Sequence, residues 1–371
     1  MYGPRALAWR DNSLGGPRAA VPESIVISVD AMGGDHGPAV VAPALAIALE
    51  RMGGQQIRFL LHGDPVRLNE ELAKVPAARA VSEIRPSERV ISMDEKPAQA
   101  LRRGKGTSLW NAVEAVKAGE AHAALSAGNT GALMAISKLI LRMVSRDLDR
   151  PAIVASWPTL RGVSAVLDVG ANVSSDAAQL VEFAIMGEAF HRAVHGAVKP
   201  TVGLLNVGAE EQKGNEAVRE AHRILREGEL PIDYRGFVEG DDIAKGTVDV
   251  VVTDGFSGNI ALKTAEGVAR FVRTLLREAF TSDLRAKLGA VVAGPALKRM
   301  MGRLDPACVN GGPLLGLNGI VVKSHGGADA KGFANAIVVA ANLARSDYSR
   351  EIDRNMHQLA EVLSKTAERR A

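Results

Sequence analysis

Cysteine is nearly missing from this 371-residue chain, where Cys308 stands alone. An internal disulfide framework is therefore impossible, and zinc sites built from several thiolates are excluded. Aromatic residues make up only 4%, which argues against stacking platforms for single-stranded nucleic acid. An excess of either charge is also lacking: 45 basic and 42 acidic residues leave a net charge of +3, so no nucleic-acid partner is expected. No apolar run reaches 18 residues, so no segment reads as a membrane-spanning helix. G-x-G-x-x-G after a strand, G-x-x-x-x-G-K-[ST], G-x-S-x-G and H-E-x-x-H are all absent. The single thiol fits a reducing, cytoplasmic setting, and Cys308 has no basic neighbour that would activate it.

What is present is a repeated grammar. Val248–Lys263, VDVVVTDGFSGNIALK, runs from an apolar β-branched strand through a loop of small residues into an amphipathic helix. Five further stretches follow the same order, at Ile25–Asp30, Ala123–Ser126, Ser164–Asp168, Thr201–Asn206 and Ile320–Val322. Strand and helix alternate in this way when a parallel sheet carries helices on both faces. Ligands of such sheets bind beyond the C-terminal strand ends, where the loops gather. Residues 1–24 hold Gly, Pro and Arg without an apolar core of signal-peptide length, so they read as a disordered extension. Lys96–Lys117 reads as helical around an interruption at Gly104-Lys105-Gly106, and residues 346–371 as a helical tail.

Several loops carry candidate chemistry. A helix start offers unpaired N–H groups and partial positive charge, and glycine lets that backbone approach an anion. Ser257, Gly258 and Asn259 suit a phosphate on this ground, and so do Gly128, Asn129, Thr130 and Gly131 in Ser126–Met134. The plain alternative is an ordinary strand-to-helix turn capped by Asn259 or Ser257. Lys213 in Gly208–Glu216 lies at a strand end, where an ammonium can face a phosphate or a developing oxyanion; alternatively it is a solvated lysine paired with Glu210 or Glu211. Asp35, His36 and His325 read as polar walls or loop organisers, because their spacing matches no metal pattern. Leu262–Leu304 breaks the rhythm as a long helical hairpin with nine basic and three acidic residues. Such a hairpin can form a dimer contact, lie on an anionic membrane, or pack on the body.

The motifs DAMGGDHGP, MDEKPAQALR, SAGNTGALM, RPAIVASWPT, VLDVGAN, VGLLNVGAEEQKGNE, VVTDGFSGNIALK and LLGLNGIVVKSHGGADAKGFANAI occur in this order between Ile25 and Ile337. Taken together they closely resemble the phosphate acyltransferases, the acyl-acyl-carrier-protein:phosphate transacylases of bacterial phospholipid synthesis. The resemblance implies a three-layer α/β/α sandwich over residues 25–345 with a mostly parallel sheet. That fold is isocitrate dehydrogenase- and phosphotransacetylase-like, here with a protruding helical hairpin at 262–304. It implies a metal-free, cofactor-free homodimer that makes acyl phosphate from phosphate and acyl-acyl carrier protein. It also implies peripheral membrane association and a membrane glycerol-3-phosphate acyltransferase as acceptor of the product. Lys213 and Asn259 match the residues tied to catalysis in that family. A phosphotransacetylase-like enzyme using acyl-CoA is the nearest alternative. The chain departs from the family pattern at Lys105-Gly106-Thr107-Ser108-Leu109 and at Gly311–Gly316.

Overall fold

Eleven strands form one continuous sheet in this computed structural model, whose described residues are 24–356 without 54, 147, 149, 229, 304–308, 349 and 353. The strands are β1 (Ile25–Asp30), β2 (Ile57–Gly63), β3 (Ser82–Pro86), β4 (Ala123–Ser126), β5 (Ala152–Pro158), β6 (Val163–Leu167), β7 (Thr201–Leu205), β8 (Asp233–Val238), β9 (Val250–Val252), β10 (Gly312–Leu315) and β11 (Ile320–Lys323). Their spatial order is β3-β2-β1-β4-β11-β10-β5-β6-β9-β7-β8. The pairings from β3 to β11 are parallel, as are those from β6 to β8. The mostly parallel α/β sheet read from the sequence is thus present, with one addition. β10 is antiparallel to both β11 and β5, and β5 is antiparallel to β6. These three reversals make the second parallel half run opposite to the first.

Helices cover both faces. On one side lie α1 (Pro38–Arg51), α2 (Pro65–Ala73), α3 (Pro76–Ala80), α7 (Ala177–His195), α8 (Glu216–Glu227) and α12 (Ala330–Arg345), burying Leu45, Leu68, Phe183, Phe190 and Phe333. On the other lie α4 (Pro97–Arg103), α5 (Ser108–Lys117), α6 (Thr130–Leu141), α9 (Gly240–Lys245) and the start of α10 (Gly255–Thr281), which contribute Ala100, Leu109, Leu133, Ile136, Ile243 and Leu262. Strand residues alternate between these two cores, as the period-2 pleat requires: Ala123 and Leu125 join the first, Ala124 the second. The expected break near Gly104 separates α4 from α5, and Thr107 caps the latter. Asp176 and Gln179 form a capping box for α7.

The hairpin is formed by α10 and α11 (Leu284–Arg303). It is longer than the sequence pattern implied, since residues 255–259 are its first turn and not a loop. Phe271, Val272, Leu275, Leu288, Val291 and Val292 are exposed along it. No helix among the described residues is long and apolar enough to cross a membrane. Of the expected C-terminal tail, Tyr348, Ile352 and Met356 are buried at helical spacing, and residues 357–371 lie outside the described residues. So do Cys308 and, save for Ser24, the N-terminal extension.

His62, next to last in β2, is buried with neither ring nitrogen hydrogen-bonded. Burial, reinforced by the Arg85 charge, lowers its pKa from 6.5 to about 4. Unfolding therefore releases a histidine that binds a proton more readily than the native one. The stability from this site is complete above pH 6.5 and is lost as pH falls toward about 4, at most about 3 kcal/mol. His62→Leu should flatten the fall in urea-unfolding stability across that window while leaving stability at pH 7.5 within about 1 kcal/mol.

Candidate active site

Two sets of loops emerge from the strand ends. The first belongs to β1, β4 and β11, whose register places Asp30, Ser126 and Lys323 side by side. Ser126 Oγ donates to Asp30 Oδ2 at 2.7 Å and accepts from Gly128 N at 2.9 Å. Gly33 is required here, because a Cβ would come within 2.8 Å of Gly128 N. Asp30 is 1% exposed; burial raises its pKa although Ser108 and Ser126 face the carboxylate. Ser108, at the segment that departs from the family pattern, is thus the buried first residue of α5, facing Asp30.

The α6 start is only partly available to a ligand. Asn129 Oδ1 accepts from Ala132 N at 3.0 Å, and Nδ2 donates to the carbonyls of Met93 and Glu95 at 2.9 Å each. Its amide caps the helix and clamps the 92–95 loop. Thr130 is exposed, and Gly131 makes room for Pro97. Asp35 and His36 are exposed; Asp35 N donates to Gly326 O at 3.0 Å, and His36 lines a small pocket with Gly33, Ala127 and Phe333. His325 Nδ1 accepts from Gly327 N at 3.2 Å and so organises its own turn.

The second set belongs to β6, β9 and β7, which are adjacent and parallel. Asp168 is its hub. Its carboxylate accepts from the backbone N–H groups of Ile153, Gly170, Ala171 and Asn172 and from Asn172 Nδ2, at 2.6–3.2 Å. Burial raises the Asp168 pKa against the pull of these donors. Gly255 and Gly258 close the packing: a Cβ on Gly258 would strike the Asp168 carbonyl, and one on Gly255 the Asn172 carbonyl. Asn259 is thereby laid over Gly170, where its carboxamide carbon lies 3.6 Å from the place a Cβ would take.

The cap of α10 is Asp254, replacing the expected Ser257 or Asn259. Asp254 accepts from Ser257 N at 2.8 Å and from Ser257 Oγ at 3.0 Å, while Gly255 N donates to Asn172 O and Gly258 N to Asp254 O. Most donors of this helix start are therefore spent within the protein. Asn259 differs: it is exposed, and its side chain has no hydrogen bond among the described residues.

Lys213 sits in the β7 loop. Asn206 Nδ2 holds the Lys213 carbonyl at 3.2 Å, Asn206 Oδ1 takes Val207 N at 2.9 Å, and Arg219 holds the Gly214 carbonyl at 2.6 Å. Gly214 has φ +89°, and a Cβ there would strike Asn206. Glu211 pairs with Arg226 rather than with Lys213, and Lys213 forms no ion pair among the described residues. Thus Lys213, on the loop after β7, and Asn259, in the first turn of the helix after β9, follow the C-terminal ends of neighbouring strands, each on a braced backbone.

The two loop sets start from sheet halves of opposite direction. Five steps separate β4 from β9, and at roughly 20–25° per step the twist accumulates to about 100° or more. Twist of that size turns the two sets of strand ends toward each other. Lys263, in the third turn of α10, is near enough for its charge to act on Lys323 at the end of β11.

A family profile described as fatty acid synthesis protein matches residues 25–351. The phosphate acyltransferase of Caulobacter vibrioides is 69% identical over 337 residues, covering 91% of this chain and 93% of that protein. The chain belongs to the phosphate acyltransferase family. The Phenylobacterium zucineum phosphate acyltransferase is 61% identical over 93% of this chain and 97% of its own length. As a phosphate acyltransferase family member the chain is an acyltransferase enzyme of lipid synthesis. The EutD phosphotransacetylase from Staphylococcus aureus aligns with TM-score 0.57 and 16% identity, over 86% of this chain and 94% of its own. A Streptococcus pyogenes phosphotransacetylase gives 0.58 and 17%, over 87% and 95%. These two likenesses establish the shared fold.

Within this phosphate acyltransferase family member, sequence reasoning passed over Asp168, Asp254, Asn206 and Lys323. Asp168 and Asp254 each follow an apolar strand and precede small residues, a pattern that signals side-chain bonds to nearby backbone. Lys323 gave no local signal, since beyond the adjacent Ser324 carbonyl its partner Ala127 lies 196 positions away.

Gly258 and Gly267 lie on the same helix in opposite circumstances, one against a fixed carbonyl and one with nothing within 4 Å. Gly258→Ala should lower stability by about 2 kcal/mol or more, and Gly267→Ala should raise it by ~0.5–1 kcal/mol. Urea unfolding of both variants checks the contrast.

Proposed function

We propose that the chain transfers a fatty acyl group from acyl-acyl carrier protein to inorganic phosphate, releasing acyl phosphate for glycerophospholipid synthesis. The observation that carries this reading is the pair Lys213 and Asn259, which follow adjacent strands and whose side chains have no partner among the described residues. A phosphate oxygen attacks the thioester carbonyl, the carbon becomes tetrahedral, and the thiolate leaves and takes a proton from water. Phosphate monoesters lose their second proton near pH ~6, and inorganic phosphate is similar, so the nucleophile needs no strong base. A thiol of pKa roughly 8.5 leaves without obligatory protonation. Catalysis then reduces to holding two reactants and stabilising charge. Lys213 neutralises phosphate, and Asn259 Nδ2 donates to the oxyanion or to phosphate. Gly128, Thr130 and Gly131 support the acceptor from the α6 start, and Asp35, His36 and His325 line the approach.

The hairpin fits the expected partners. Its exposed apolar row and its basic residues suit a second copy of the chain, an anionic membrane surface, or both. Membrane contact would bring acyl phosphate to a glycerol-3-phosphate acyltransferase in the cytoplasm-facing leaflet. An acidic carrier protein would be steered by the same arginines, so donor KM should rise with salt.

Lys213→Ala and Asn259→Ala should each lower acyl phosphate formation about a hundred- to a thousandfold, or ~3–4 kcal/mol, without loss of fold by circular dichroism. Near-parental rates for both folded variants would refute their assignment. The phosphotransacetylase-like fold favours acyl-CoA as a second donor. Trapping the mixed anhydride with hydroxylamine, using long acyl-acyl carrier protein and short acyl-CoA in separate reactions, decides the donor. The carrier thioester should give the higher kcat/KM; the reverse order would establish acyl-CoA instead.

A further inference from the structure

Lys323 takes no part in the mechanism above, yet it stands at the end of β11 beside the β4 loop. Its Nζ donates to Ala127 O at 3.3 Å and to Ser324 O, which fixes the ammonium between the ends of β4 and β11. An ammonium carries three donors, so one remains. No carboxylate pairs with Lys323 among the described residues. Asp30 lies beyond Ser126 in the same row, two strand spacings or about 10 Å away. Removing a cation from water without a counter-ion is costly. Asp30 and Asp35 attract the ammonium from a distance, and Lys263, itself paired with Glu266 at 3.0 Å, opposes them.

We propose that Lys323 binds a phosphate group of a substrate between the β4 loop and the β11 loop. This inference rests on the acyl-to-phosphate reading. The same chemistry is offered by inorganic phosphate and by the phosphodiester of a phosphopantetheine-bearing acyl donor. Burial lowers the Lys323 pKa to about 8, so the ammonium persists at neutral pH and an arriving anion strengthens it.

Lysine reactivity toward acetic anhydride, followed residue by residue by mass spectrometry on the full chain, tests the idea without turnover. Lys323 should titrate near pH 8, below the ordinary lysine range. Millimolar inorganic phosphate or 4′-phosphopantetheine, in separate arms, should slow its labelling several-fold. Protection by the first alone marks the acceptor, and protection by the second alone marks the donor arm. Labelling indifferent to both overturns the proposal, whether or not the chain forms acyl phosphate. In a folded Lys323→Met variant the affinity for the protecting ligand should fall roughly tenfold or more, with Lys323→Arg recovering most of it. Unchanged affinity in Lys323→Met would equally overturn it.

Discussion

The contact between the Asp168 carbonyl and the Cα of Gly258 is the constraint on which the candidate site depends. It joins the end of β6 to the first turn of α10 with no room for a side chain between them. The Asp168 carboxylate reinforces the joint, since its bonds to Ile153, Gly170, Ala171 and Asn172 lock one loop onto its neighbouring strand. Asn259 can therefore occupy one position over Gly170. Because β7 pairs with β9, the Lys213 loop lies next to that position, and Asn206 and Arg219 brace it independently. Preorganisation of this kind places charge without cost at the moment of reaction.

Helix starts contribute differently from what a glycine-rich loop suggests. The α10 start is already occupied by the Asp254 carboxylate, and the Asn129 amide is committed to capping and to the 92–95 carbonyls. These polar side chains build the loops, leaving long, exposed side chains to meet the ligand. The three antiparallel pairings around β10 and β5 have a related consequence. They reverse the second half of the sheet, and twist then turns its loops toward those of the first half.

Much of the architecture was legible in the sequence because it follows from periodicity. Buried strands such as Val250–Val252 and amphipathic helices such as Ala330–Arg345 announce themselves locally. Lys213 and Asn259 were legible as polar residues on glycine-rich loops, and the motif order pointed to the family. The antiparallel strands were not legible: Gly312–Leu315 is short, and the direction of both Ala152–Pro158 and Gly312–Leu315 is set by distant partners. Capping by Asp254 was missed because Ser257 and Asn259 are also good caps, and the choice is decided by packing of Gly255 and Gly258 against the β6 loop. Lys323 was silent for the same kind of reason, its meaning arising only when β11 is laid beside β4.

The most direct measurement is a crystal structure of the chain with bound phosphate. The account predicts phosphate oxygens within hydrogen-bond distance of both Lys213 Nζ and Asn259 Nδ2, with the Asp168–Gly258 joint unmoved. Phosphate bound at a site that neither side chain reaches, with Lys213 and Asn259 facing separate surfaces, would contradict it.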